Sequence, residues 1–177
     1  MSAEPIAYVQ VLTMLARAII AQLDGLSDEE LNQPVPLPDA NTLAAPATHT
    51  LGAGQYWSLT LVGGQVIPRA RPAEFRAVSH GPELITGFEG WIAALQALLA
   101  DLPPEALGPL ANPPAGRRLQ AIGDAPLTGR DCLLHAIDHT ATHLGHIQLT
   151  RQLVLALRAG SLAVAEGDGA AQDSPDA

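Results

Sequence analysis

An all-α four-helix bundle is the fold this sequence predicts, on three observations. Apolar residues recur at three- and four-residue steps in four separate stretches, helix start and stop signals fall between them, and no convincing set of strands is present. Its 177 residues suit one domain, and a hydrophobic content of 47% can fill a core without staples.

Over residues 5–26, Val9, Leu12, Leu15, Ile19, Leu23 and Leu26 form a core-facing stripe. Ser27 with Glu30 matches a capping box, which predicts a short helical turn before the proline-rich break PVPLP. A second long helix starts at Asn41 or Thr42 and runs to about Val62, where Gly63 and Gly64 stop it, and Pro46 is tolerated because it falls near the first turn. Residues 65–80 are rich in Pro and Arg and lack periodicity, the pattern of a long connection crossing the end of a bundle. Gly81-Pro82 opens a third helix to about Leu102, with Ile85, Phe88, Ile92, Leu95, Leu98 and Leu99 as its core candidates. Pro103-Pro104 stops it, and 105–127 is irregular, with a short extended piece around 117–122. Thr128 followed by Asp131 starts a fourth helix that continues to about Ala159, with Gly160 as terminator. Residues 1–160 therefore form the domain, and the small, acidic segment 161–177 is expected to be a disordered tail. Two connections are long, so a simple up-down-up-down order is not forced.

Composition narrows the function. Nine Arg against eighteen acidic residues, with no Lys, leave a formal charge of −9 and no basic footprint for nucleic acid. A single cysteine excludes an intramolecular disulfide, and Glu4 stands where a secretory signal carries basic residues, so the expected location is cytoplasmic. Gln10 and Arg17 interrupt the first apolar stretch before the roughly 20 residues that cross a bilayer, and no membrane span is expected. Leu59, Leu61, Val62, Leu144, Leu149 and Leu155 cannot all face one interior, which predicts an isologous homodimer.

Chemistry concentrates on the last helix. His135, His139, His143 and His146 are four of only six histidines. Residues four apart lie one helical turn above each other, so His139 and His143 can reach one ion together. Four unpartnered imidazoles on one side of a helix would each cost on the order of 1–3 kcal/mol if buried, which favours a metal over bland core packing. His135 and His146 lie at other levels and are assigned to the pocket wall, to hydrogen bonding with the ligands, or to a fourth ligand position. That face of the helix, with Cys132, Ala136, Thr150, Leu153, Val154 and Leu157, is expected to point into the bundle.

Two imidazoles are too few for a stable site, and His49, mid-bundle on the second helix, is the best third ligand. Gly52 and Ala53, its neighbours one turn on, leave room for an ion. His80 falls in the linker and is expected at the surface. Thr140 occupies the place where an H-E-x-x-H peptidase carries its general base, which disfavours that chemistry. Three neutral imidazoles and no evident carboxylate point to zinc or nickel, with iron disfavoured. Cys132 is a small core residue rather than a nucleophile. Tyr56 and Trp57 serve as core and pocket wall, and Arg117, Arg118 and Arg151 are candidates to anchor a substrate carboxylate at the pocket mouth.

His49-x-x-Gly52 with Tyr56-Trp57, joined to His139-x-x-x-His143-x-Gly145-His146-Ile147, resembles the DinB-like superfamily of damage-inducible and thiol-dependent transferase proteins. The SDEEL turn fits as well, and the resemblance spans about residues 5–159. It implies an up-down-down-up bundle, commonly dimeric, with a divalent metal on His49, His139 and His143. Position 146, often Gln in that family, is His in this chain. The family includes mycothiol- and bacillithiol-dependent S-transferases and maleylpyruvate isomerase, so the implied activity is metal-dependent thiol transfer or isomerisation with a low-molecular-weight thiol on a small-molecule substrate. The competing expectations are a non-catalytic metal-binding stress-response bundle and a metal-dependent hydrolase.

Overall fold

Leu12, Ala16 and Ile19 have no exposed surface, and the bundle is built around that stripe. The computed structural model describes residues 3–38, 40–111, 113 and 125–162. The predicted extended piece at 117–122 and the expected tail beyond residue 162 lie outside them.

Helix α1 spans Ala3–Leu23 and stops short of Leu26, because Gly25 takes φ +73° and turns the chain. The Ser27 capping box opens α2, Asp28–Asn32, with Glu30 N donating to Ser27 Oγ at 3.2 Å and Ser27 N donating to Glu30 Oε2 at 2.8 Å. Helix α3, Ala44–Gln55, begins a little after the predicted start and passes into a π-helical turn, Tyr56–Thr60. There Leu61 N reaches back to Tyr56 O at 3.0 Å and Gly63 N to Ser58 O at 3.1 Å. The predicted unbroken helix to Val62 is corrected at this point. A four-residue helix, α4, Arg71–Glu74, lies in the stretch expected to be aperiodic. Helix α5 spans Gly81–Ala100, and α6 spans Gly129–Arg158 behind the Thr128–Asp131 capping box.

Side-chain pairs fix the helix directions. Glu4 meets Arg130 at the starts of α1 and α6, and Arg151 and Arg158 reach the carbonyls of Gln22, Asp24 and Gly25 at the end of α1. Those two helices therefore run parallel. Leu51, Gly54 and Gly63 face Gly87, Trp91 and Leu98 in the same order, so α3 and α5 are parallel as well. Helix α6 opposes α3, because His49 meets His139 and His143 whereas the later Trp57 meets His135. His80 and Gly81, where α5 begins, bind Asp28 just beyond the end of α1, which sets α5 antiparallel to α1. The order is up-down-down-up. Residues 61–80 must consequently climb back along the bundle, and this return connection packs α4 against α3.

Each large aliphatic or aromatic side chain buried in the core contributes about 1.5–3 kcal/mol relative to exposure. The predicted stripes hold at Leu12, Leu15, Ile19 and Leu23 and at Phe88, Ile92, Leu95 and Leu99, and Trp91 joins them, almost fully buried. On α6 the buried stripe is Cys132, Leu133, Ala136, Thr140, Ile147 and Val154. Of the face expected to point into the bundle, Cys132, Ala136 and Val154 do so, whereas the histidines lie on its flank toward α3, with His146 exposed. Glu4–Leu23 is long and apolar enough to cross a membrane, with mean hydropathy 1.6 despite Gln10 and Arg17, contrary to the sequence-based argument. One face of it fills the core of the bundle. Leu59, expected among the candidates for a dimer face, is buried instead.

Candidate metal centre

His49 projects from the second turn of α3 and is 4% exposed, while His139 and His143 approach it from α6. The three rings lie 5.0, 5.0 and 4.4 Å apart by centroid, and one nitrogen from each falls within 4.8 Å of the others. His49 Nε2 and His139 Nε2 are 3.2 Å apart. Nitrogens bound to one tetrahedral zinc at about 2.0–2.1 Å are about 3.3 Å apart, so this pair has the spacing of two ligands. His139 Nδ1 is buried with no hydrogen-bond partner among the described residues. Burial, with the neighbouring imidazoles adding to it, pushes His139 down to about 3 and His143 down to about 4. Burial also lowers His49, against the pull of a carboxylate beside it. At neutral pH all three are uncharged rings with a lone pair to give, the state a divalent ion requires. The residues fit such an ion.

That carboxylate is Glu74, which sequence reasoning missed. Its Oε2 lies 2.7 Å from His49 Nδ1. Burial raises the Glu74 pKa, but hydrogen bonds from Arg69 and His49 outweigh it and leave the group below its usual value. An ionised carboxylate only accepts, so His49 Nδ1 is the donor and its Nε2 carries the lone pair. Arg69 grips the same carboxylate with Nε to Oε1 at 2.6 Å and Nη2 to Oε2 at 2.9 Å. The space expected for an ion beside Gly52 holds Glu74 instead: a Cβ on Gly52 would lie 2.5 Å from Glu74 Oε1. Phe75 covers the outer face of the site, its ring 4.4 Å from that of His49. Helical periodicity gives no warning of these residues, since they sit on the return connection. The one sequence signal is a glycine one turn after His49.

His135 stands beside the triad rather than in it, 5.7 Å from His139 by ring centroid and edge-on to Trp57 at 4.4 Å. His146 is exposed, and its Nδ1 lies 3.4 Å from Nδ1 of His143, a contact that leaves His143 Nε2 for a metal. A cleft of about 210 Å³ opens on His49 and His139, between Trp57, His135, Arg69 and Arg71. A second, more apolar cavity of about 270 Å³ lies beyond His143, against Val35, Leu37, Phe75 and Leu153.

Of the basic residues proposed for the pocket mouth, Arg117 and Arg118 lie outside the described residues. Arg151 is placed elsewhere, donating to Gln22 O at 2.9 Å and so tying α6 to α1. The cleft presents Arg69 and Arg71 instead. Cys132 is fully buried, and burial with the nearby Asp131 charge pushes its thiol up to about 12. Thr140 spends its hydroxyl on Ala136 O at 2.6 Å inside the core. His80 is exposed and paired with Asp28, as expected of a surface residue.

The depressed values carry a pH prediction for the metal-free protein. Unfolded, His139 and His143 protonate near 6.5, but in the fold they resist down to about 3 and 4. Between those limits the unfolded chain binds more protons, so the stability is complete above about pH 6.5 and is lost as pH falls through the window. The urea midpoint of chelated protein is expected to fall from about pH 7 to about pH 5, less steeply in His139→Ala. Equal slopes in the two proteins would contradict neutral burial of that ring.

A family model described as the DinB superfamily matches residues 12–147. Among solved structures, a conserved protein from Enterococcus faecalis superposes with a TM-score of 0.63 at 18% identity, covering 88% of this chain and 99% of that one. At that identity the likeness concerns the fold alone. No curated protein matches the chain.

Proposed function

The chain belongs to the DinB superfamily, and from that premise we propose a divalent-metal-binding, cytoplasmic enzyme that transfers or isomerises a small-molecule substrate with a low-molecular-weight thiol. The observation that carries this reading is the convergence of three neutral imidazoles, from two helices, beside an open cleft. His49, His139 and His143 would hold the ion, zinc or nickel by the chemistry of an all-imidazole donor set. A bound divalent ion supplies Lewis acidity that favours the thiolate form of a coordinated thiol.

The chain's own residues shape the rest. Trp57 and Ala53 wall the cleft against water. Arg69 is consumed by Glu74, whereas Arg71, resting 5.4 Å over the Phe75 ring, has no hydrogen-bond partner among the described residues and can meet an anionic group of the incoming molecule. Cys132 is buried and protonated, so it is not the thiolate of this reading, in which the thiol comes from outside the chain. A homodimer remains part of the proposal, with Leu149, 57% exposed, among the residues free to pair. The contact between His143 and His146 supports the competing reading of a closed, purely structural site, which the cleft disfavours.

Activity toward an electrophilic acceptor is expected to require both metal and added thiol, with Cys132→Ala retaining at least half the wild-type rate. Assays of metal-loaded protein with and without thiol test this. Activity that needs no thiol and vanishes with Cys132 would overturn it.

A further inference from the structure

We propose that Glu74 is a positioning residue for the metal centre: the return connection carries its carboxylate to His49 and holds that ring with Nδ1 protonated and Nε2 turned toward the ion. The inference rests on the metal-binding reading and adds to it a device that the three ligands do not contain.

Three features converge on the carboxylate, and a fourth locates one of them. His49 Nδ1 donates to it at 2.7 Å, so the ring can neither flip nor change tautomer without losing a buried charge-assisted bond. Arg69 fixes both oxygens, which leaves Glu74 few rotamers and balances its charge in a place where a lone carboxylate would be costly. Gly52 vacates the volume the carboxylate fills. Arg69 is itself located by Tyr56, whose ring lies 5.5 Å beneath its guanidinium.

The parallel course of α3 and α5 explains how Glu74 comes to be there. Because both helices run down, the chain between them has to climb past His49, and the short α4 halts the climb with Glu74 at the level of the triad. A partner on the far nitrogen of a ligating histidine orients the ring and raises its basicity, and its loss typically weakens metal binding about 10–100-fold.

The test uses the full chain and zinc alone. Zinc affinity is measured by competition with a chromophoric chelator for wild type, Glu74→Gln, Glu74→Leu and Gly52→Ala. Glu74→Leu is expected to bind about 10–100-fold more weakly. Glu74→Gln, which still accepts a hydrogen bond, should recover part of that loss. Gly52→Ala keeps every polar group but displaces the carboxylate, and should weaken zinc in the same direction. Nitrogen-15 spectra of the metal-free proteins supply a second reading that general destabilisation does not move: His49 should be protonated at Nδ1 in wild type and lose that preference in Glu74→Leu. Wild-type zinc binding matched by both Glu74→Leu and Gly52→Ala, or an unchanged His49 tautomer in Glu74→Leu, would overturn the positioning role alone. A wild type that binds no zinc would overturn the metal reading itself, and this role with it.

Discussion

Wild-type protein is expected to bind one divalent ion per chain near stoichiometrically, and His49→Ala, His139→Ala or His143→Ala should each lose it at metal concentrations that saturate wild type. Each variant removes one of three donors, and two imidazoles rarely hold zinc or its neighbours. The loss should therefore exceed the roughly 10–100-fold that removal of a supporting group costs. Elemental analysis after gel filtration reads the result directly, and full retention in all three variants would refute the triad. The fold should survive in each case, because the ion adds stability only in proportion to its preference for the folded state. The stripes on α1, α3, α5 and α6 bury a continuous core without it.

Gly54→Ala should destabilise the bundle markedly. A Cβ there would lie 2.4 Å from Trp91 Cζ2, and Trp91 is almost completely buried with Nε1 donating to Ser58 Oγ at 3.0 Å. Ser58 in turn donates to Gly54 O at 2.6 Å. Displacing the indole overpacks the α3–α5 contact, at about 1–3 kcal/mol, and threatens a buried hydrogen bond of comparable worth. A combined loss of about 2–4 kcal/mol corresponds to a melting temperature lower by roughly 5–15 °C. Gly90→Ala is the matched control, since nothing lies within 4 Å of its added methyl and a helix interior prefers Ala by about 1 kcal/mol. Calorimetry should show opposite shifts for the two substitutions, and equal shifts would show that the close approach of α3 and α5 is misjudged.

The four long helices are legible because each carries its own periodic stripe and its own stop signal. Thr128 and Asp131 cap α6, and Gly160, at φ +66°, ends it, as local chemistry alone requires. The triad is legible for a related reason: His139 and His143 are one turn apart on a single helix, and His49 is the mid-bundle histidine on another, although the glycine beside it makes room for Glu74 and not for an ion. What periodicity cannot show is the partner of His49. Glu74 acquires its role from topology, through a connection whose course depends on the two helices it joins running the same way. Arg151 illustrates the converse error. Its charge and place on α6 suit a pocket mouth, but the parallel packing of α1 puts free carbonyls within its reach first.

The pairing of the first helix with the last has a kinetic meaning. Arg151 and Arg158 bind partners 127 to 133 residues earlier in the chain, and His139 meets His49 across 90 residues. Contacts of such separation cannot form until nearly the whole chain has left the ribosome, and closing them is slow compared with forming any one helix. During synthesis α5 can cover part of the apolar face of α1 as it emerges, and α6 completes that cover while bringing the last two imidazoles. Completion of the bundle and creation of the metal centre are thus one event, and a nascent chain truncated before Gly129 would be both aggregation-prone and unable to capture the ion.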